Sequence, residues 1–176
     1  MRIAFALGVA ALFVVSVAQA ADRKIEEFYG RWIGSGQATK GIVNPVATQS
    51  RDSEVIIEKA ADGFKIRWTT MSTAVNDGSK SKVKTSELTF KKGKKAGLFV
   101  DVKSGYAMDG KKTTWARLSG DTLSITQLVV GADGQWDVTV YDRTLKSADD
   151  MSLAFTRITN GAIARQASLV MTKTKD

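Results

Sequence analysis

Between positions 30 and 174 the chain is a succession of ten short segments of alternating apolar and polar residues, punctuated by turn signals. Few folds other than antiparallel sheet accommodate that pattern. The segments lie at 30–40, 51–60, 63–73, 83–91, 97–105, 113–119, 121–130, 135–145, 151–159 and 162–174. Between them stand Asp62-Gly63, Asp77-Gly78, the stretch from Gly93 to Gly97, Asp109-Gly110, Gly120-Asp121, Asp133-Gly134 and Asn160-Gly161. Such dipeptides build tight turns, and connections this short join strands as hairpins rather than through crossover helices. The single proline, Pro45, falls in the one long connection, where it removes no ladder hydrogen bond.

Alternation within the segments predicts which face is buried. Phe64, Ile66 and Trp68 oppose Lys65 and Arg67; Leu98, Val100 and Val102 oppose Asp101 and Lys103; Trp136, Val138 and Val140 oppose Asp137 and Thr139. With one apolar face and no helix long enough to cover it, a sheet of this width must close on itself or fold into two layers. The predicted fold is therefore all-β: an antiparallel up-and-down β-barrel of about ten strands, preferred to a sandwich because of its short connections, with a short helical lead over 22–29. Phe64, Trp68, Phe90, Trp115, Trp136 and Phe155 are the aromatic residues expected to fill its interior or to line a pocket.

The last hairpin allows a finer inference. A plain two-residue turn at Asn160-Gly161 would set Met151, Leu153 and Phe155 on the face opposite Leu169 and Met171. An additional residue, with Gly161 in the left-handed conformation of a bulge, reunites them. The bulge is expected, and it turns Arg157 and Arg165 toward the interior.

Residues 1 to 20 read as a signal peptide: Met1 and Arg2, an apolar stretch from Ile3 to Val17, then Ala18-Gln19-Ala20 as a cleavage site ahead of Ala21. Residues 21–176 form one domain, expected to be periplasmic or secreted, and the absence of cysteine excludes disulfides. Losing Arg2 leaves 25 basic residues against 18 acidic ones, a net charge of +7. All of that surplus lies in a stretch of ten lysines, of which Lys80 is the first and Lys112 the last, set against Glu87, Asp101 and Asp109. Lysines in turns solubilise and protect sheet edges; a flank of them also suits an anionic membrane surface. Nucleic acid is not an expected partner of an exported protein.

The first strand reads Phe28-Tyr29-Gly30-Arg31-Trp32-Ile33-Gly34-Ser35-Gly36. Gly30-x-Trp32 after a short helical lead resembles the opening signature of the calycin barrels, which include lipocalins, fatty-acid-binding proteins and nitrobindins. The longer form through Gly34 and Gly36 is most similar to the ten-stranded nitrobindin type. The glycines share Trp32's face, giving the indole room across the barrel end and letting the strand bend. The resemblance implies an arginine against that tryptophan, and Arg157 or Arg165 could supply it, with Arg165 favoured. It also implies haem held by a late histidine, which this chain lacks; Tyr106, Tyr141 and Met171 are the remaining ligand types, and no cofactor is expected.

Without histidine or cysteine, the common nucleophile and imidazole-metal chemistries are gone, and no metal site is expected. Adjacent acids at Glu26-Glu27 and Asp149-Asp150 read as solvated ends of elements. The leading reading is a barrel that binds a small apolar or amphipathic ligand, with Arg157, Arg165, Tyr141, Trp68 and Trp136 as candidate contacts. Fatty-acid-binding barrels grip a carboxylate with late-strand arginines and a tyrosine, and Tyr141-Asp142-Arg143 offers related chemistry in reversed order. The alternatives are an interaction protein with a filled barrel acting through its basic surface, and an enzyme with two carboxylates facing each other inside.

Overall fold

The computed structural model of the chain describes residues 23–40, 47–74 and 77–175. The expected signal peptide, its cleavage site before Ala21, and Pro45 lie outside the described residues. Among the described residues, a single 3-10 turn at Ile25–Phe28 precedes ten strands: β1 Gly30–Lys40, β2 Ala47–Ala60, β3 Gly63–Ala74, β4 Asp77–Lys92, β5 Leu98–Asp101, β6 Thr113–Ser119, β7 Thr122–Val130, β8 Trp136–Leu145, β9 Asp150–Thr159 and β10 Ala162–Lys173. Each strand pairs antiparallel with its sequence neighbours, and β1 pairs with β10, so the sheet is a closed up-and-down barrel.

β2 begins at Ala47 rather than at 51, and two further boundaries differ from expectation. Asp77-Gly78 is the start of β4 rather than a turn, and β5 stops at Asp101. The causes are linked: β4 is held along its whole length by β3, whereas β5 meets it only from Phe90 to Lys92. Past that short ladder, the chain from 102 to 112 runs as a loop containing a 3-10 turn at Ala107–Asp109.

Closure depends on glycine. A Cβ at Gly34 would fall on the Val170 carbonyl oxygen, and one at Gly36 on that of Ser168. These positions are bare because the backbones of β1 and β10 approach closely there, which is a different cause from the expected accommodation of the indole. Trp32 is nonetheless fully buried, and its Nε1 donates to the Phe28 carbonyl at 2.9 Å. The cation over its ring is Lys173, 5.2 Å from the centroid, and not Arg157 or Arg165. Register is the reason: antiparallel pairing sets Trp32 opposite Lys173 at the end of β10, and sets Arg165 opposite Lys40 at the other end of the barrel. Around Trp32 the interior is solid, with Phe28, Ile57, Phe64, Ile66 and Phe90 buried and Phe64 stacked on Phe90 at 4.8 Å.

The final hairpin carries its bulge, one step removed from the predicted place. Asn160 and Gly161 both have positive φ and form a two-residue turn that pairs Ile158 with Ile163. The extra residue is Ala164; after it, Arg165 pairs with Arg157, and Leu153 with Leu169. The apolar sets are thereby united, and both arginines turn inward as expected.

Two strands are inverted relative to prediction. In β5, Phe99 and Asp101 are buried while Leu98 and Val100 are only half-buried and Val102 is exposed. In β8, Arg143 and Leu145 are buried on the inner face, which places Trp136, Val138 and Val140 on the outer one. Trp115 likewise alternates with buried Thr114 and Ala116 and lies outside the core.

Removing the Trp32 indole by Trp32→Ala is expected to cost about 3–5 kcal/mol in urea unfolding. In a double-mutant cycle, Lys173→Met should be less damaging in a Trp32→Phe background than in the parent, while Arg165→Met should be additive with Trp32→Phe.

Candidate functional site

The end of the barrel opposite Trp32 is not filled. A cavity of about 440 Å³ opens there, lined from β2 by Gln49 and Arg51, from β3 by Trp68 and Thr70, from β4 by Lys82 and Lys84, and from β8 to β10 by Tyr141, Phe155, Arg157 and Arg165. Strand alternation puts these residues inside: Arg51 lies on the same face as buried Ser53, Val55 and Ile57, and Tyr141 on the same face as buried Arg143 and Leu145.

The floor is aromatic. Trp68 and Tyr141 lie 5.3 Å apart between ring centroids, and Tyr141 and Phe155 5.1 Å apart, in a continuous tilted row. Burial raises the Tyr141 hydroxyl above its ordinary pKa, against the opposing influence of Arg143 and Arg51. Beneath this row sits Arg143, fully buried, with none of its three nitrogens hydrogen-bonded. Its guanidinium carbon lies 5.7 Å from the Trp68 ring and 5.5 Å from that of Tyr141, and burial brings its pKa down to about 10, so it stays charged near neutrality. Two aromatic faces offset part of the desolvation of a guanidinium but replace none of its hydrogen bonds.

The walls are cationic. Arg157 is neutralised by Asp137, to which its Nε and Nη2 donate at 3.1 and 2.7 Å. Thr159 also donates to Asp137, and these partners hold the carboxyl below its usual range. Arg165 donates to the Gln49 side-chain carbonyl. Arg51 stands over the Phe155 ring at 5.6 Å with its Nε enclosed and without a partner; burial lowers its pKa, and so does the charge of Arg165. Lys82, Lys84 and Lys112 also line the cavity. Lys94 and Lys95, in the connection from β4 to β5, belong to the opposite barrel end.

Four of the five candidate ligand contacts, Arg157, Arg165, Tyr141 and Trp68, thus come together around one cavity. Trp136 does not: it is 36% exposed and borders a separate depression of about 200 Å³ beside the 131–135 turn. The inversion of β8 explains this. Sequence reasoning passed over Arg51, although extending the alternation of Val55 and Ile57 two steps back would have turned it inward. The residues do not fit haem: Tyr106 is exposed on a loop, Met171 is buried in the solid half, and only Tyr141 reaches the cavity. Among the described residues no cluster of three acidic side chains forms, and Asp137 is the only carboxylate on the cavity wall. A facing pair of acids is therefore not part of this site.

Among solved structures the chain is similar to a protein of unknown function of the DUF3598 family from Nostoc punctiforme, at 13% identity and a TM-score of 0.56 over 93% of this chain and 54% of that one. The chain thus spans about half the length of that protein. It is also similar to an S-type phycobiliprotein lyase from Guillardia theta (10% identity, TM-score 0.45, 86% of this chain and 91% of that one) and to the Rv2717c protein of M. tuberculosis (15%, 0.49, 86% and 95%). At these identities the likeness concerns the barrel fold alone. No family model and no curated protein matches the sequence.

Arg143→Met is expected to stabilise the protein by about 1–4 kcal/mol at pH 7, because it replaces an unpaired buried charge with a packed apolar chain. The folded-state pKa of Arg143 lies below its unfolded value, so the charge penalty is complete below about pH 10 and fades above it. The stability gap between parent and variant, measured by urea unfolding, should narrow as pH rises through that value.

Proposed function

We propose that this chain is an exported, calycin-like barrel that binds a small amphipathic anion in its open end, in the periplasm or outside the cell. One observation carries the reading: a cavity of about 440 Å³ in which an aromatic floor meets a cationic wall. A pocket of this size suits a small ligand, with the row from Trp68 to Phe155 receiving its apolar part and the arginines its charge. A purely apolar ligand suits the wall less well, since it would desolvate cations without compensating them. The filled half of the barrel fits an interaction protein equally well, and the unfilled half is what favours ligand binding.

Native mass spectrometry of the protein recovered from an osmotic-shock fraction tests both parts of this reading. The expected species begins at Ala21 and carries a small molecule that is absent from a Thr70→Trp variant, whose indole would occupy the cavity. A chain still beginning at Met1 would oppose export. Bare protein that takes up no amphiphile would oppose ligand binding.

A second reading concerns the surface. Val102, Tyr106 and Met108 are exposed on the 102–112 loop among Lys103, Lys111 and Lys112, a combination that suits an anionic lipid surface. Binding to anionic vesicles at low salt should exceed binding to neutral ones and weaken as ionic strength rises. Equal affinity for both would leave the lysines as solubilising groups.

A further inference from the structure

We propose that the cavity is built for a phosphate monoester, held between Arg51 and Arg165. This rests on the ligand-binding reading above and narrows its chemistry.

The first support is charge. Among the described residues six cations line the cavity, namely Arg51, Lys82, Lys84, Lys112, Arg157 and Arg165, and Asp137 is the only carboxylate. Arg157 and Thr159 already occupy that carboxylate. Among the described residues Arg51 and Arg165 are in no ion pair, and Arg143 adds a further buried charge below the floor. An amphiphile with one negative charge would leave most of this field uncompensated.

The second support is placement. Arg51 lies on β2 and Arg165 on β10, the two strands that flank β1. Level with Arg51 and Gln49, β1 carries only small inner-face residues: Gly36 pairs with Arg51, and Ala38 with Gln49 and Ala167. With nothing tall at those two positions, Arg165 of β10 can lean across β1, and its bond to Gln49 of β2 shows that it spans the gap. The repulsion is sensed at Arg51, whose proton affinity falls through burial and through the neighbouring Arg165. Two guanidiniums that repel one another in one cavity without an acid are unfavourable, and the arrangement becomes favourable when an anion enters.

The third support is the match of donors to acceptors. A guanidinium presents a planar fork of N–H groups, and one fork satisfies one carboxylate. Two forks lining one cavity, with the Gln49 amide beside them, call for an anion with more acceptor oxygens and more charge. A phosphate monoester supplies three such oxygens and a charge of about −1.5 to −2 at pH 7. Phe155, under the Arg51 guanidinium, keeps that fork in place and offers an apolar contact to whatever the phosphate is attached to.

Calorimetric titration of the purified protein at fixed ionic strength, with inorganic phosphate, lauroyl lysophosphatidate and laurate as probes, tests the proposal. Lysophosphatidate should bind at least about tenfold tighter than laurate, and Arg51→Met and Arg165→Met should each reduce that preference toward unity. Binding of inorganic phosphate as well would support a soluble phosphate ester as the natural ligand; binding of lysophosphatidate alone would support a lipid headgroup. Thermal unfolding adds a readout that a merely structural Arg51 would not give. Without anion, Arg51→Met should melt at or above the parent's temperature, and the phosphate probe that raises the parent's Tm should leave the variant's unchanged. Equal affinities for laurate and lysophosphatidate, unaltered by Arg51→Met, would overturn the phosphate assignment while leaving ligand binding intact. Failure of all three probes would overturn the assignment too. If the protein purified from cells also carries no small molecule, the ligand-binding reading falls with it.

Discussion

Everything in this fold depends on how β1 meets β10. A ten-stranded sheet with one apolar face has no stable open form in water, since its two edges would template pairing with other chains and its inner face would stay wet. Closure removes both problems, and it is achieved where Gly34 and Gly36 let the first and last strands approach more closely than any side chain would permit. The same bareness has a second effect further along the strand. Because Gly36 and Ala38 put almost nothing into the lumen, Arg165 of β10 reaches across β1 to Gln49 of β2, two residues from Arg51. One local feature of sequence thus closes the barrel and leaves room in the cavity that both arginines line.

The interior is graded along the barrel axis. From Trp32 to Phe90 it is a packed aromatic and aliphatic plug, and this half supplies the hydrophobic driving force that a chain without disulfides requires. Beyond the row of Trp68, Tyr141 and Phe155 the lining becomes polar and cationic and packing stops. Arg143 marks the boundary. It touches the undersides of two floor residues and makes no hydrogen bond, so a purely structural selection would favour an apolar side chain in its place. Its charge nevertheless lies beneath the cavity and adds to the positive potential there without making contact. A residue that weakens the fold while strengthening the field over a cavity is better explained by the cavity than by the core.

The architecture was legible because its signals are local. Turn dipeptides and period-two alternation depend on a few residues each, and they sufficed for ten strands, for the closed meander, and for a bulge in the last hairpin, which was inferred from the need to reunite Leu153 with Leu169. The alternation failed in two strands, and for the same reason in both. The inner face of β8 carries Asp137, Thr139, Tyr141 and Arg143, and that of β5 carries Asp101, so the more apolar face of each strand is the outer one. A rule that assigns the apolar side to the interior must invert wherever the interior is polar for a purpose. Trp136 was misplaced by that inversion. The assignment of Arg165 to Trp32 failed differently, because it took inward direction for proximity without following the register to Lys173.

The lysine-rich flank shows how two readings that compete in the sequence can hold together in the fold. Lysines that guard a sheet edge and lysines that attract an anion look like alternatives as long as only composition is considered. In the structure β4 extends well beyond β5, and before Thr89 its second side has no strand partner among the described residues. Such an edge invites pairing with another chain, and inward-pointing charge is one of the devices that prevents it. Lys82 and Lys84 alternate with exposed Val83 and point toward the lumen, so the charges that spoil the edge are also two of the six cations lining the cavity. A barrel sealed by a full-length β5 would need neither. The short β5 exposes the edge and the long β4 carries lysines along it, and the cavity gains part of its positive lining from a side chain pattern that the exposed edge already requires.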